Sequence, residues 1–378
     1  MKTQLLGGIS PKHFLAEYWQ KKPLLVRGAV PGFEGAISPT DLFALARNPD
    51  VESRLVRYAK TGWAVRHGPQ RAADLRRKNA PWTVLVQGVN TWDDAADALM
   101  RRFDFIPQSR LDDLMVSYAV DGGGVGPHFD DYDVFLLQGR GQRRWQIGRQ
   151  SDRRLVDGAP LKILSNFEPT HDWVLDPGDM LYLPPEWAHN GTAIGECMTY
   201  SIGFRSPSAQ ELGTEFLTYL QEHLQLDGRY ADPDLKVQKN SARICDAMVD
   251  RVGEMVERLR WNRASVADFL GRYLTEPKAD VFFDPPAEPI GKRAFTARIR
   301  RHGLRLDRRS ILLYHRGCFY LNGEIQCLEH DEQKRFKTLA HRRSLSPSMI
   351  DGAAKATLGQ LYQWYVDGFA HPGDSADA

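Results

Sequence analysis

Two histidines and one aspartate sit in segments that could bring them to a single metal ion. The first segment, Gly122-Gly-Gly-Val-Gly-Pro-His128-Phe-Asp130, puts a His-x-Asp pair at the start of a strand-like run. Residues i and i+2 of a strand point to the same side. His128 and Asp130 can therefore offer an imidazole nitrogen and a carboxylate oxygen to one cation. The second segment, Leu183-Pro-Pro-Glu-Trp-Ala-His189, supplies a third donor beside a later strand. Two histidines and one carboxylate form the set that suits non-haem Fe(II) and leaves positions open for oxygen and a co-substrate. A His-x-Asp pair alone is more often a surface pair than a ligand set. Two features favour the ligand reading. The glycine run lets the backbone turn tightly against the site, and Asp176-Pro-Gly-Asp-Met-Leu-Tyr supplies a turn and strand that return His189 to the same mouth. The other histidines lack ligand spacing and read as surface or packing residues.

The surrounding sequence must provide strands to carry these donors. Residues 111–206 alternate short apolar runs, near 114–120, 133–138, 144–147, 179–183 and 199–204, with turn signals. The turns fall at Gly122-Gly-Gly124, Gly139-Arg140-Gly141 and Asp176-Pro177-Gly178. That spacing predicts a sandwich or small barrel. Residues 1–110 mix helices and strands. Ser10-Pro11 and Ser38-Pro39 each predict a helix start, with strands over 22–27 and 82–87. After Ser206-Pro207 the pattern turns helical. Helices are expected over 208–224, over 241–260 and from a cap at Ser265. The second carries Ile244, Met248, Val252, Met255, Val256 and Leu259 along one stripe. Such a stripe reads as core, or as a dimer seam if it meets a second molecule. Four prolines within 277–289 read as a linker. Beyond them an Asn322-Gly323 hairpin, with helical segments near 331–341 and 354–367, resembles a winged helix.

Composition excludes several classes. Fifty Lys and Arg against 48 Asp and Glu leave a net charge of +2, so the whole chain is neither a polycation nor an acidic tail. A local run remains: eight basic residues between Lys292 and Arg309 face only Asp307. It reads either as a solvated face or as a contact for nucleic acid or an acidic partner. No stretch of about 18 apolar residues occurs, so no membrane span is expected. The first residues hold too short an apolar run for a secretory signal. The four cysteines are scattered with no C-x-x-C pair, and a reducing cytoplasm is the expected location.

The motifs carry a resemblance. His128-x-Asp130, His189, Asp176-Pro-Gly-Asp-Met-Leu-Tyr-Leu-Pro-Pro and Tyr200-Ser-Ile-Gly-Phe-Arg205 look like a cupin-related oxygenase of the JmjC type. Tyr18-Trp-Gln-Lys-Lys-Pro-Leu-Leu-Val-Arg27 and Tyr132-Asp-Val-Phe-Leu-Leu-Gln-Gly-Arg-Gly141 resemble the bacterial ribosomal oxygenases more closely. The likeness is dense to about residue 206 and looser beyond it. It implies a mixed α+β chain. A double-stranded β-helix (jelly-roll) catalytic domain would span 1–206 with its core at 111–206. A helical dimerisation region would follow over 207–276, and a winged-helix-like domain over 277–378. It also implies Fe(II), with 2-oxoglutarate and O2 as co-substrates, and hydroxylation of an arginine in ribosomal protein sixteen of the large subunit. His128, Asp130 and His189 match the metal ligands. Strand alternation allows only one of Arg143 and Arg144 to face inward, and the family match puts Arg143 on the co-substrate with Ser117 as its second contact. A homodimer through the middle helices is implied as well.

The family does not fix the pocket for the target side chain. A buried guanidinium needs a carboxylate or several acceptors. Asp121, just before the glycine run, is the first candidate, with Ser201 as an acceptor and Tyr132 laying its ring on the planar group. Two other functions remain open on the sequence: a non-catalytic cupin regulator that binds nucleic acid through its C-terminal domain, and a small-molecule 2-oxoglutarate oxygenase.

Overall fold

The computed structural model describes residues 2–59, 62–76, 80–326 and 328–373. The chain divides into two compact units. One comprises residues 1–206, 277–310 and 344–378; the other comprises 207–276 and 311–343.

The first unit is built on strands β1 (Leu24–Val26), β2 (Ser53–Ala59), β3 (Gly62–His67), β4 (Trp82–Val86), β5 (Leu111–Ala119), β6 (Val134–Gln138), β7 (Gln142–Gly148), β8 (His171–Leu175), β9 (Met180–Leu183), β10 (Ala188–Ile194) and β11 (Cys197–Phe204). Eight form one antiparallel sheet in the order β1-β9-β6-β11-β5-β4-β2-β3, and β10-β7-β8 form a second. The two sheets share an interior of Val134, Leu136, Trp145, Ile147, Leu175, Leu181 and Leu183. This is the jelly roll expected for the catalytic core. The other face of the large sheet packs Leu114, Val116, Phe135, Tyr182 and Tyr200 against Phe14, Leu42 and Leu99 from three helices. Two of those helices start as their sequences predict. Ser10 and Ser38 accept hydrogen bonds from the backbone N–H groups of His13 and Asp41, and proline opens each first turn.

Alternation along each strand decides what enters the barrel. On β7, Arg143 and Trp145 are buried, while Arg144 is exposed and ion-paired to Asp172. On β5, Ser117 and Ala119 face the interior opposite Thr199 and Cys197 of β11.

The rest of this unit pairs helix Lys292–His302 and helix Lys355–Val366 with a small sheet of β12 (Leu304–Leu306), flanked by residues 344–345 and 370–372. Phe295 stacks on Tyr365 at 4.9 Å between ring centroids. The second unit holds helices Ala209–His223, Asp246–Val256, Arg263–Thr275 and Gln333–Arg342 and a three-stranded meander, residues 312–315, 318–321 and 324–326. Its second hairpin turns at Asn322 and Gly323, both at positive φ, as Asn-Gly predicts.

Two local expectations change. The third helix is capped by Asn262, whose side chain accepts from the Ala264 and Ser265 N–H groups; Ser265 answers as the third residue of a capping box. The helix expected over 241–260 runs only from Asp246 to Val256, and its Met248, Val249, Val252 and Val256 are exposed in the single chain. Among the described residues, no helix is long and apolar enough to cross a membrane.

Candidate metal and co-substrate site

The glycine run is shaped by close approach. A Cβ on Gly124 would lie 2.5 Å from the Gly191 carbonyl oxygen, so only glycine lets this segment lie against β10. Gly126 sits at φ +82°, and a Cβ there would lie 2.7 Å from the Trp63 ring and 2.9 Å from Ile163. Two residues later His128 and His189 pair as an antiparallel bridge, with backbone N–H to carbonyl distances of 3.0 and 2.9 Å.

The imidazole Nδ1 of His128 lies 2.9 Å from the Gly126 carbonyl oxygen, and that of His189 lies 2.9 Å from the Trp187 carbonyl oxygen. A carbonyl only accepts, so each Nδ1 carries the proton and each Nε2 keeps its lone pair. Both Nε2 atoms turn toward Asp130, 3.8 Å from Oδ1 for His128 and 3.5 Å from Oδ2 for His189. One ligand atom from each of the three residues falls within 4.8 Å of the others. His189 is 3% exposed, and burial together with neighbouring His128 lowers its pKa to about 4 against the pull of Asp130. It is therefore neutral and able to ligate at neutral pH. Two imidazoles with carbonyl-anchored tautomers and one carboxylate fit an Fe(II) ion.

Arg143 meets the second requirement. It is 3% exposed, and its Nε and Nη2 have no hydrogen-bond partner among the described residues. A buried guanidinium with idle donors is costly and calls for an anionic ligand. In the β7–β10 register, Arg143 lies opposite Ala193 and Ile147 opposite His189, so arginine and metal donor line one inner face. Ala119, Ala193 and Cys197 pack together and close the strand bearing Ser117 onto the partner of Arg143. The Ser117 hydroxyl lies 3.5 Å from the Thr199 carbonyl, and the nearby Thr83 hydroxyl, on β4, is buried without a partner among the described residues. Sequence reading missed Thr83; its only signal is a polar residue in the otherwise apolar run Trp82–Val86.

The target-pocket candidates separate. Tyr132 follows the ligand Asp130 and is 42% exposed; burial of the phenol and the Asp130 and Asp113 carboxylates raise its pKa. Ser201 faces inward on β11, opposite Leu136 and Met115, and is 7% exposed. Asp121 does not join them. It is exposed, and its carboxylate accepts from the Gly195 N–H at 2.8 Å, six residues along β10 from His189, or about 20 Å at a strand's rise. It is a turn residue at the far end of the barrel. An acid at the metal end is Asp113 on β5. Its Oδ2 accepts from Gly88 N–H at 2.9 Å, and its Oδ1 lies 3.5 Å from where a Cβ on Gly203 would stand. Gly203 in turn pairs with Val134, next to the Tyr132 segment. Burial raises the Asp113 pKa, opposed by the Lys278 ammonium. Asp112-Asp113 looks like an exposed charge pair in the sequence, and only the register reveals which one turns inward.

Barrel, donor set and idle arginine together define a class, the cupin-related oxygenases of the JmjC type. A JmjC domain model matches residues 98–212, and a ROXA-like winged helix model matches residues 258–371. The chain is 38% identical to the ribosomal protein uL16 3-hydroxylase of Escherichia coli over 278 residues, covering 73% of this chain and 74% of that protein. It is 40% identical to a probable ribosomal oxygenase of Haemophilus influenzae over 235 residues, covering 61% of this chain and 56% of that protein. Among solved structures, the E. coli ribosomal oxygenase YcfD in complex with cobalt and 2-oxoglutarate superposes with a TM-score of 0.82 at 32% identity, covering 96% of this chain and 98% of that one. The chain belongs to the ribosomal oxygenase family.

Proposed function

We propose that this protein is an Fe(II)- and 2-oxoglutarate-dependent hydroxylase of an arginine in large-subunit ribosomal protein uL16. The observation that carries the reading is the buried Arg143 with two idle donor atoms on the same inner face as His189. His128, Asp130 and His189 are the metal ligands. The bound metal with 2-oxoglutarate and O2 supplies oxidation of an unactivated C–H bond, releasing succinate and CO2.

The chain's own residues bind, orient and exclude water. The Gly126 and Trp187 carbonyls hold the ligand rings through Nδ1–H, which keeps Nε2 free for the ion. Arg143 receives the distal carboxylate of 2-oxoglutarate through paired N–H donors, with Ser117 as a second contact and Thr83 within the same wall. Asp113 takes the place first given to Asp121: its free Oδ1 accepts from the substrate guanidinium, Ser201 adds an acceptor, and the Tyr132 ring lies against the planar group. Gly203 leaves room for this, because a side chain there would crowd Asp113.

The exposed stripe on helix Asp246–Val256 is the seam of a homodimer, since four large apolar side chains on one short helix are best covered by a second copy. The catalytic, helical and winged-helix-like regions divide at about 206 and 276. The basic run at 292–309 contacts ribosomal RNA. A ribosomal protein substrate places the enzyme in the cytoplasm. The test is succinate release by purified protein with Fe(II) and 2-oxoglutarate. Stimulation by added uL16 supports the reading. Absence of any turnover favours a cupin regulator, and stimulation by small molecules alone favours a small-molecule oxygenase.

A further inference from the structure

Helix Lys292–His302 contains five Lys or Arg residues and no acidic residue. It is anchored through Phe295 and Ile299, both fully buried. Arg293, Ala297 and Arg300 turn away from these two, and Lys292 and Thr296 lie on the flank between. These five residues line a shallow depression of about 530 Å³. The small residues form its floor and the cations its rim. From Lys292 to Arg300 the helix rises about 12 Å. The Lys292 ammonium extends over Gly359 of the neighbouring helix, where a Cβ would lie 2.9 Å from it.

These cations differ from the last two of the run. Arg308 is spent on Asp94, and Arg309 on Asp307 and Asp284. Among the described residues, Lys292, Arg293 and Arg300 have no ion pair. The chain as a whole is near neutral, with 50 basic and 48 acidic side chains, so this concentration is local. No large apolar residue of this helix is exposed. A protein partner would need aromatic or aliphatic anchors at the centre of its interface, and none is present. Phosphodiesters need only spaced cations over a floor low enough for close approach.

We propose that this face of helix Lys292–His302 is a docking site for the RNA phosphate backbone. RNA rather than DNA is the occupant because the protein substrate is ribosomal, a clause that rests on the proposed function. The contact reads charge and not sequence, and it holds the enzyme near RNA-associated substrate without entering the catalytic pocket.

The experiment is fluorescence anisotropy of the full-length protein with a labelled single-stranded RNA, across salt concentration. Three phosphate contacts predict that affinity falls about 18-fold between 50 and 200 mM salt, whereas a variant with one contact loses only about 2.6-fold. Arg293→Gln with Arg300→Gln is that variant, and Ala297→Glu, which puts a carboxylate on the floor, is a second in case the first misfolds. Both should bind RNA more weakly at 50 mM salt while hydroxylating a free uL16 peptide at the wild-type rate. RNA affinity and salt slope unchanged in both variants would overturn the site. So would tighter binding of polyglutamate than of RNA. Because RNA binding is read without turnover, failure of the hydroxylase reading and failure of this one are separable.

Discussion

Exchanging Arg143 for lysine keeps the positive charge and removes the fork. The guanidinium offers two idle nitrogen atoms, Nε and Nη2, inside the barrel. A carboxylate received by both gains two charge-assisted hydrogen bonds, and an ammonium on a shorter reach makes one. Losing one such bond costs about 1.5–3 kcal/mol, which raises the KM for 2-oxoglutarate about 10- to 150-fold. The kcat at saturating 2-oxoglutarate should change far less, because the metal donors are untouched. The assay is succinate release against 2-oxoglutarate concentration. A thermal readout needs no turnover: 2-oxoglutarate should raise the Tm of the metal-loaded wild type at concentrations that leave Arg143→Lys unmoved. Arg144→Lys serves as the control, because its side chain is held outside by Asp172 at 2.5–3.1 Å. An unchanged KM in Arg143→Lys, or the large effect in Arg144→Lys instead, would refute the assignment of the inward arginine.

His128→Ala and Asp130→Ala should each abolish turnover while circular dichroism stays native, because both residues are partly exposed at the barrel mouth; full activity in Asp130→Ala would remove it from the ligand set. Trp63→Ala should weaken metal binding about 10- to 100-fold by freeing Gly126, whose carbonyl orients His128, and Trp63→Phe should restore most of it; titration with a spectroscopic divalent metal measures both. Asp113→Asn should weaken binding of an arginine peptide with little change in KM for 2-oxoglutarate, whereas Asp121→Asn should leave peptide affinity at the wild-type value by calorimetry. Met248→Glu with Val252→Glu should give a monomer on a sizing column; an unchanged dimer would put the interface elsewhere.

The sequence made the metal donors legible because His-x-Asp needs only strand alternation and a third donor beside a turn. The caps at Ser10 and Ser38 and the Asn322-Gly323 hairpin were equally local, and each formed as its residues require. What failed depended on register. Asp121 looked close to His128 along the chain, but the glycine run carries the backbone across the barrel, leaving Asp121 at the Gly195 turn. Asp113 was overlooked because its strand position gains meaning only from Gly203 and Val134 across the sheet. Trp63 supports a ligand 65 residues away, which no periodicity reveals. Helix Asp246–Val256 is shorter than the 241–260 span its apolar spacing predicts, because that spacing continues past the point where the backbone stops being helical.

The central claim is that this barrel delivers one oxygen atom to one arginine. Recombinant uL16 incubated with the protein, Fe(II), 2-oxoglutarate and isotopically labelled O2 tests it most directly, followed by fragmentation mass spectrometry. The account predicts a single labelled oxygen on one arginine, placed at its β carbon, absent when Asp130→Ala replaces the wild type. Succinate formed without any oxygen on uL16, or an oxygen on a residue other than arginine, would contradict it.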